Sequence, residues 1–353
     1  MSADFVYGNT RLRARLPELL TLSEIERLMT LDADALPGEL SRTAYEPEIR
    51  AESARHELPD SIHRAVTRHL ARTLVEIRRF YDGTAAGVVD LLLGRWDLHN
   101  LVALVRAQAR RESEEAAQAA LIPLGGLDPA SAAEIARQTE PAAAVARVVA
   151  WRLPTPELAR ALAGAWDAYE RDEDLGRLEA RLATAAVESS LERAASLGRA
   201  ADPVAALLAR EADVRNLLAV LRHAEAAPGE PADRRGLVSG GTITLDGLTA
   251  ATEGEAPEAA ARRVAGLPAA APYRSALDRF GQGDSALARL EHDLEVASVA
   301  LASREMRRGD PLGAAVPVGF VVLKETEARN LRLVVQAAAS GHVRALADEL
   351  VPM

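Results

Sequence analysis

Trp96-Asp97-Leu98-His99-Asn100-Leu101 opens a pattern that occurs three times in this chain of 353 residues. The order of acid, apolar residue, basic residue, Asn and Leu returns in Ala212-Asp213-Val214-Arg215-Asn216-Leu217 and in Thr326-Glu327-Ala328-Arg329-Asn330-Leu331. The first two asparagines are 116 residues apart, and the last two are 114 residues apart. A motif that recurs at a nearly constant interval indicates an internal repeat of one structural unit.

Two further markers keep the same period. The dipeptide Leu-Pro occurs at residues 36–37, 153–154 and 267–268, which lie 64, 63 and 63 residues before the three asparagines. Apolar pairs at helical spacing, Ile62/Val66, Leu178/Leu182 and Leu290/Leu294, also keep the interval. Helix-breaking stretches such as residues 226–231 and glycine pairs at 125–126 and 240–241 separate the copies. We therefore predict three repeats, at residues 1–118, 119–232 and 233–353.

The apolar periodicity within a repeat is helical. Ile62, Val66, Leu70, Leu74 and Ile77 recur every three or four residues, as on one face of an amphipathic helix. Aromatic residues make up only 3% of the chain, and no β-type run is longer than the short segment 240–245. The sequence predicts an all-α protein made of three similar helical-bundle repeats.

The repeated motif lies on a helix that is apolar over a wide arc. Positions −2, +1, +4 and +5 from each asparagine are apolar, so the asparagine stands at the edge of a buried face. We expect it to be at least partly buried, hydrogen-bonded and responsible for fixing the register of packing. A feature repeated with the period of the fold is more typical of a structural contact than of a catalytic site. The residues predicted to form this structural motif are Asp97, Asn100, Leu101, Asp213, Asn216, Leu217, Glu327, Asn330 and Leu331.

Composition excludes several classes of function. A net charge of −10 repels nucleic acid, and the absence of cysteine excludes disulfides, thiolate nucleophiles and Cys-based metal sites. The first residues lack the apolar core of a signal peptide. The longest uncharged apolar stretch in the C-terminal region, residues 311–323, has 13 residues against the roughly 20 that a bilayer span requires. We expect neither nucleic-acid binding nor a direct membrane span.

No pattern typical of catalysis or cofactor binding is present. The seven histidines form no zinc-hydrolase arrangement, and the glycine-rich turn at 236–242 lacks the lysine of a phosphate-binding loop. Serine-hydrolase and dinucleotide-binding fingerprints are also absent. The acidic run at 170–174 is more typical of a solvated helix end than of a cation site. We predict no catalytic, cofactor-binding or metal-binding residue and no cofactor.

The start of the chain and the repeated motif together resemble a known family. Residues 4–15, with the order aromatic-x-Asn-x-Arg-x-Arg from Tyr7 to Arg13, are similar to the opening of the C subunits of bacterial and archaeal V-type ATPases, which are equivalent to the d subunit of the eukaryotic enzyme. The acid-x-x-Asn-Leu helices resemble that family's internal motif. The basic residue that follows Asn-Leu in the family is found only as Arg332, since Val102 and Leu218 take its place in the other copies.

The resemblance implies a non-catalytic central-stalk subunit of a V-type or A-type rotary ATPase. The implied shape is a funnel of three bundles around a pseudo-threefold axis. Its cavity would seat central shaft subunits of the D and F type, and its opposite face would rest on the membrane proteolipid ring. The protein would couple shaft to ring in proton or sodium transport linked to ATP synthesis or hydrolysis. It would lie in the cytoplasm, peripheral to the inner membrane.

Two other classes of function stay open on the sequence. The first is a generic helical-repeat scaffold for soluble partners, which co-purification with a membrane ring would separate from a rotary subunit. The second is an all-α enzyme that uses carboxylates and Mg²⁺ and would need an acidic helix opening on an apolar pocket. Asp172 and Asp174 are its candidate residues.

Overall fold

The structure of the protein is a computed structural model that describes residues 4–122, 124–138, 140–227, 230, 232–281 and 286–353. Its regular elements are all helical, and no strand occurs in those residues, which confirms the all-α prediction. Pro228, Gly229 and Pro231 of the expected helix-breaking stretch lie outside the described residues. Segment 240–245 forms a turn that leads into a helix.

The described residues of the first part of the chain form ten α-helices. They are α1 (Val6–Arg15), α2 (Leu22–Met29), α3 (Leu36–Leu40), α4 (Glu46–Ser53), α5 (Asp60–Arg78), α6 (Gly83–Leu93), α7 (Arg95–Ala109), α8 (Glu114–Ala119), α9 (Pro129–Ala136) and α10 (Pro141–Trp151).

The remaining α-helices include the four longest of the described chain. They are α11 (Pro156–Asp172), α12 (Leu175–Leu197), α13 (Asp202–Ala226), α14 (Leu245–Thr252), α15 (Pro257–Ala265), α16 (Arg274–Arg279), α17 (Ala286–Arg308), α18 (Ala315–Ser340) and α19 (Val343–Ala347). Short 3₁₀ helices connect some of them, at Leu16–Glu18, Ala33–Ala35, Gly198–Ala201, Arg234–Gly236 and Pro268–Tyr273.

Several of the shorter helices begin at side-chain caps. The Thr21 hydroxyl accepts from the backbone N–H of Glu24 in a capping box at the start of α2. Asp128 caps α9, with a proline at the first helical position, and Thr244 caps α14. These caps satisfy backbone N–H groups that have no partner inside the helix. They fix where each helix starts after an extended segment.

The chain divides into two compact units. Unit 1 comprises residues 1–90 and 299–353, and unit 2 comprises residues 91–298. In unit 1, α18 contacts α1, α2, α5 and α19. Buried side chains lie all around α18, including Val318, Phe320, Val321, Leu331 and Val335, as expected for a helix packed on every side.

Unit 2 contains two main hydrophobic clusters. One joins α7 and α8 to α9–α12, and runs from Leu101 to Leu182. The other joins α13 to α14–α17, and runs from Leu217 to Leu294. Each cluster therefore combines a motif helix with the segment that follows it in the chain. The repeat boundaries at 118 and 232 stay a prediction.

No helix of the described ranges combines the length and the apolar character needed to cross a membrane. The longest, α18, carries Lys324, Glu325, Glu327 and two arginines.

Candidate functional site: the repeated acid and asparagine motif

In the first copy, the motif side chains of α7 hold the backbone of the segment that follows α8. The Asn100 amide donates to the carbonyl oxygens of Ile122 and Leu124 at 2.8 and 3.0 Å, and its oxygen accepts from the Ile122 N–H at 3.0 Å. One turn earlier, Asp97 accepts from the Gly126 N–H at 2.5 Å. The two side chains thus pair with backbone groups at both ends of this short segment.

The glycine beside this contact is required by its geometry. Gly125 has φ +84°, and a Cβ atom there would lie 2.0 Å from Oδ1 of Asp97. A side chain cannot occupy that space, and the left-handed backbone disfavours any L residue. The glycine pair at 125–126, which the sequence indicates as a junction between repeats, also packs directly against the Asp97 carboxylate.

The second copy repeats the arrangement on α13. Asn216 donates to the Val238 carbonyl oxygen at 2.8 Å and accepts from the Val238 N–H at 2.7 Å. Asp213 accepts from the Ile243 N–H at 2.9 Å and from the Thr242 hydroxyl. A Cβ atom at Gly241 would lie 2.3 Å from Asp213 Oδ1, so a glycine is again needed beside the acid.

The third copy, on α18, makes the same contacts with two segments that are far apart in the chain. Asn330 donates to the Val351 carbonyl oxygen at 2.9 Å and accepts from the Val351 N–H at 3.0 Å. Glu327 accepts from the Leu20 N–H at 2.8 Å. The asparagine thus holds the C-terminal segment, whereas the acid holds a residue from the beginning of the chain.

All nine predicted motif residues are buried. The three asparagines are at most 1% exposed, so the expected burial and hydrogen bonding of these side chains are confirmed. The leucines that follow them are equally buried, and Leu101 and Leu217 belong to the two clusters of unit 2. The structure brings acid and asparagine together within each copy, on one face of the motif helix.

The buried acids differ in electrostatic environment. Burial raises the pKa of Asp97, against the opposing effect of the Gly126 N–H, and it raises the pKa of Asp213 against the Thr242 and Ile243 donors. In the third copy, Glu327 pairs with the ammonium group of Lys324, which is itself buried. Burial lowers the pKa of Lys324, although Glu327 opposes that shift.

The polar cluster around Lys324 was not predicted from the sequence. The Lys324 ammonium donates to the Tyr45 hydroxyl at 3.3 Å, and the Tyr45 ring packs 3.9 Å from the His69 ring, centroid to centroid. His69 in turn lies 3.1 Å from a carboxylate oxygen of Glu48. Basic residues stand three positions before the acid in the second and third copies, as Arg210 and Lys324, which is the only sequence signal of this cluster.

The acidic run between α11 and α12 is neutralised by arginine. Arg177 lies 3.5 Å from Asp172, 3.1 Å from Asp174 and 2.9 Å from Asp233. The adjacent surface cleft, of about 160 Å³, is lined by Asp172 and Asp174 and by four arginines, which are Arg171, Arg177, Arg181 and Arg235. Such a cleft repels a divalent cation. The described residues contain no group of three or more His, Cys, Asp or Glu that could hold a metal ion.

The arrangement can hold backbone segments together, and it offers little for chemistry. The motif acids and asparagines are inaccessible, and their polar atoms are engaged with backbone N–H and C=O groups. Catalytic acids and bases must reach a substrate atom. The site is therefore one of packing and positioning.

Comparison with known proteins gives a consistent result over nearly the whole chain. The model of the family described as ATP synthase (C/AC39) subunit matches residues 8–348. The C subunit of the V-type ATP synthase of Thermus thermophilus is 31% identical over 352 residues, which cover 99% of this chain and 99% of that protein.

More distant relatives carry related names. The C subunit of the V-type ATP synthase of Deinococcus radiodurans is 26% identical, and the match covers 95% of this chain and 87% of that protein. The C subunit of the A-type ATP synthase of Haloferax volcanii is 24% identical, with 95% of this chain and 93% of that protein covered. The similarity therefore extends across all three copies of the motif.

Proposed function

Since the chain belongs to the ATP synthase (C/AC39) subunit family, we propose that it is a non-catalytic component of a V-type or A-type rotary ATPase and that it couples the central shaft to the membrane ring. Three similar helical repeats, arranged as a funnel, would form the coupling body. Shaft subunits of the D and F type would sit in its cavity, and the proteolipid ring would contact the opposite face. The protein would lie in the cytoplasm, against the inner membrane through its complex.

The observation that carries this proposal is similarity along 99% of both chains to the C subunit of a V-type ATP synthase. A match of that extent involves the whole fold rather than one shared module. The relatives come from both V-type and A-type synthases, so the proposal covers the shared class of rotary enzyme.

The repeated motif supports a mechanical role. A coupler must transmit torque without deforming, and close packing together with paired buried polar groups gives a protein interior low compliance. Each copy of the motif fixes a backbone segment by hydrogen bonds from side chains that are themselves buried. No reactive group is needed for such a role.

We further propose that the shaft seat is polar and detachable. The chain is 27% charged, so a wholly apolar socket is not required for binding. A polar seat allows the shaft to dissociate and re-engage, and its affinity depends on ionic strength because charged contacts are screened by salt.

A pull-down series tests the function and the seat together. The full chain is immobilised and exposed to the D-type and F-type shaft subunits and, separately, to detergent-solubilised ring, at about 50, 150 and 500 mM salt. We expect both to bind, with retention of the shaft falling as salt rises. Salt-independent shaft binding would overturn the electrostatic seat, and failure of both to bind at any salt would overturn the coupling role.

The same experiment separates the remaining alternatives. A generic scaffold would bind soluble partners without retaining the ring. The arginine-rich cleft beside Asp172 and Asp174 gives the Mg²⁺-dependent enzyme no support. Replacing both aspartates by alanine is expected to leave shaft and ring binding unchanged.

A further inference from the structure

We propose that the contact made by Glu327 and Asn330 is a non-covalent copy of the two interior repeat junctions, so that the end of the chain is joined to its beginning as one repeat is joined to the next. The third bundle is then assembled from the beginning and the end of the chain. This inference rests on the three-repeat organisation proposed above. It concerns the connectivity of the fold and goes beyond the coupling role.

The asparagine contacts are equivalent in position. Asn100 and Asn216 each bind a residue 22 positions further along the chain, and Asn330 binds one 21 positions further along. In each case the same residue, Ile122, Val238 or Val351, both donates to and accepts from the asparagine side chain. The C-terminal segment around Val351 therefore corresponds to the part of each interior junction that contains Ile122 or Val238.

The acid contacts complete the junction. Asp97 and Asp213 bind Gly126 and Ile243, which lie 29 and 30 positions downstream, whereas Glu327 binds Leu20, which lies 307 positions upstream. All three backbone donors lie one or two residues before the N-cap residue of a helix, since Asp128, Thr244 and Thr21 are the N-caps of α9, α14 and α2. Leu20 therefore corresponds to Gly126 and Ile243, the residues that the acid binds in the interior junctions.

The cores follow the same order. One cluster joins α7 to α9–α12, and another joins α13 to α14–α17. In unit 1, α18 packs against α2 and α5, which both belong to the segment after Leu20. Each motif helix is thus packed with helices that follow its junction, and for α18 those helices come from residues 22–78.

The predicted consequence is that a natural junction and the contact at Leu20 and Val351 are interchangeable. A circular permutant tests this: residues 353 and 1 are joined by a flexible linker of about 20 Gly and Ser residues, and the chain is opened between Gly240 and Gly241. Asp213 and Asn216 then hold the new ends as Glu327 and Asn330 hold the natural ones. The matched control is opened between Gly254 and Glu255, a turn that lies away from the motif contacts.

We expect the 240/241 permutant to keep the helical circular dichroism of the natural chain and to melt cooperatively, at a higher temperature than the 254/255 permutant. Asn216→Ala and Asn330→Ala give a sharper readout in both chain orders. The loss in Tm caused by Asn216→Ala is expected to be larger in the permutant than in the natural chain, and the loss caused by Asn330→Ala smaller. Equal losses in the two orders, or an unfolded 240/241 permutant, would overturn the proposal.

A second measurement uses the natural chain order. Hydrogen exchange is followed in Asp213→Ala and Glu327→Ala. The control is Asp293→Ala, because Asp293 lies on α17 and pairs with Arg279 of α16. We expect faster exchange in α14 for the first variant and in α2 for the second, with neither helix affected in the control. Unchanged exchange in α2 on loss of Glu327 would overturn the closure. That result would not contradict the coupling role, which the binding of shaft and ring by the unaltered chain tests independently.

Discussion

Replacing Asn216 with alanine is the most direct test of the motif as a structural contact that stabilises the fold. The Asn216 side chain is fully buried and exchanges two hydrogen bonds, at 2.7 and 2.8 Å, with the N–H and C=O of Val238. Val238 is itself 1% exposed, so water cannot replace the lost partner without rearrangement. An unsatisfied buried donor or acceptor costs about 1–3 kcal/mol, so the two groups together predict a loss of about 2–6 kcal/mol in the free energy of unfolding.

Urea unfolding followed by helical circular dichroism measures this loss. The control is Arg222→Ala on the same helix, whose side chain is exposed and whose replacement is expected to change stability by less than about 0.5 kcal/mol. Asn100→Ala removes three hydrogen bonds, but the Ile122 carbonyl oxygen also accepts from the Leu124 N–H, so two backbone groups lose their partner and a loss similar to that of Asn216→Ala is expected. If the Asn216→Ala protein is as stable as the control, the motif is not a stabilising structural contact.

Three further predictions follow from single side chains. Gly125→Ala forces a Cβ atom against Asp97 at φ +84° and is expected to lower the free energy of unfolding by about 1–3 kcal/mol, measured by urea unfolding. Burial and Lys324 lower the pKa of His69 from 6.5 to about 4, so the unfolded state binds more protons between these two pH values. The free energy of unfolding therefore falls by up to about 3 kcal/mol as the pH drops from 6.5 to 4. His69→Gln is expected to reduce this loss, measured as Tm against pH. Lys324→Met leaves the buried Glu327 carboxylate without its partner and is expected to cost about 3–5 kcal/mol in urea unfolding.

Each of these changes has a matched comparison. Gly38→Ala lies in α3 with no atom within 4 Å of the added Cβ and is expected to stabilise by up to about 1 kcal/mol, so equal losses at both glycines would contradict the steric argument. His342→Gln removes an exposed histidine and is expected to leave unchanged the decrease of Tm with falling pH, which His69→Gln reduces. The double variant Lys324→Met, Glu327→Gln keeps an acceptor for Leu20 and is expected to recover most of the lost stability. No recovery would contradict the charge-pair explanation.

The helices and the burial of the motif could be predicted because both leave a periodic trace in the side chains. Ile62 and Val66, like Leu178 and Leu182, lie on buried helix faces as their spacing predicts. The partners of the motif could not be predicted, because Asn100 and Asp97 bind backbone N–H and C=O groups, which every residue type supplies. A side-chain pattern carries no record of which backbone segment is bound.

The contact of Glu327 with Leu20 illustrates the same limit more strongly. Leu20 contributes its N–H rather than its side chain, and it lies 307 positions from the acid, so neither composition nor period indicates the pair. The cluster around Lys324 is similarly hidden, since Tyr45 and His69 come from helices and turns in the first part of the chain. Residues whose role depends on a non-local partner need the structure to be found.

Coupling between hydrolysis and transport tests the central claim most directly. Rotary ATPase complexes reconstituted in vesicles with and without this chain are compared for ATP hydrolysis and for ATP-driven ion uptake. The coupling role predicts that omission leaves hydrolysis by the catalytic head but abolishes uptake, and that adding the chain back restores uptake. Full ion uptake in complexes that lack the chain would contradict it.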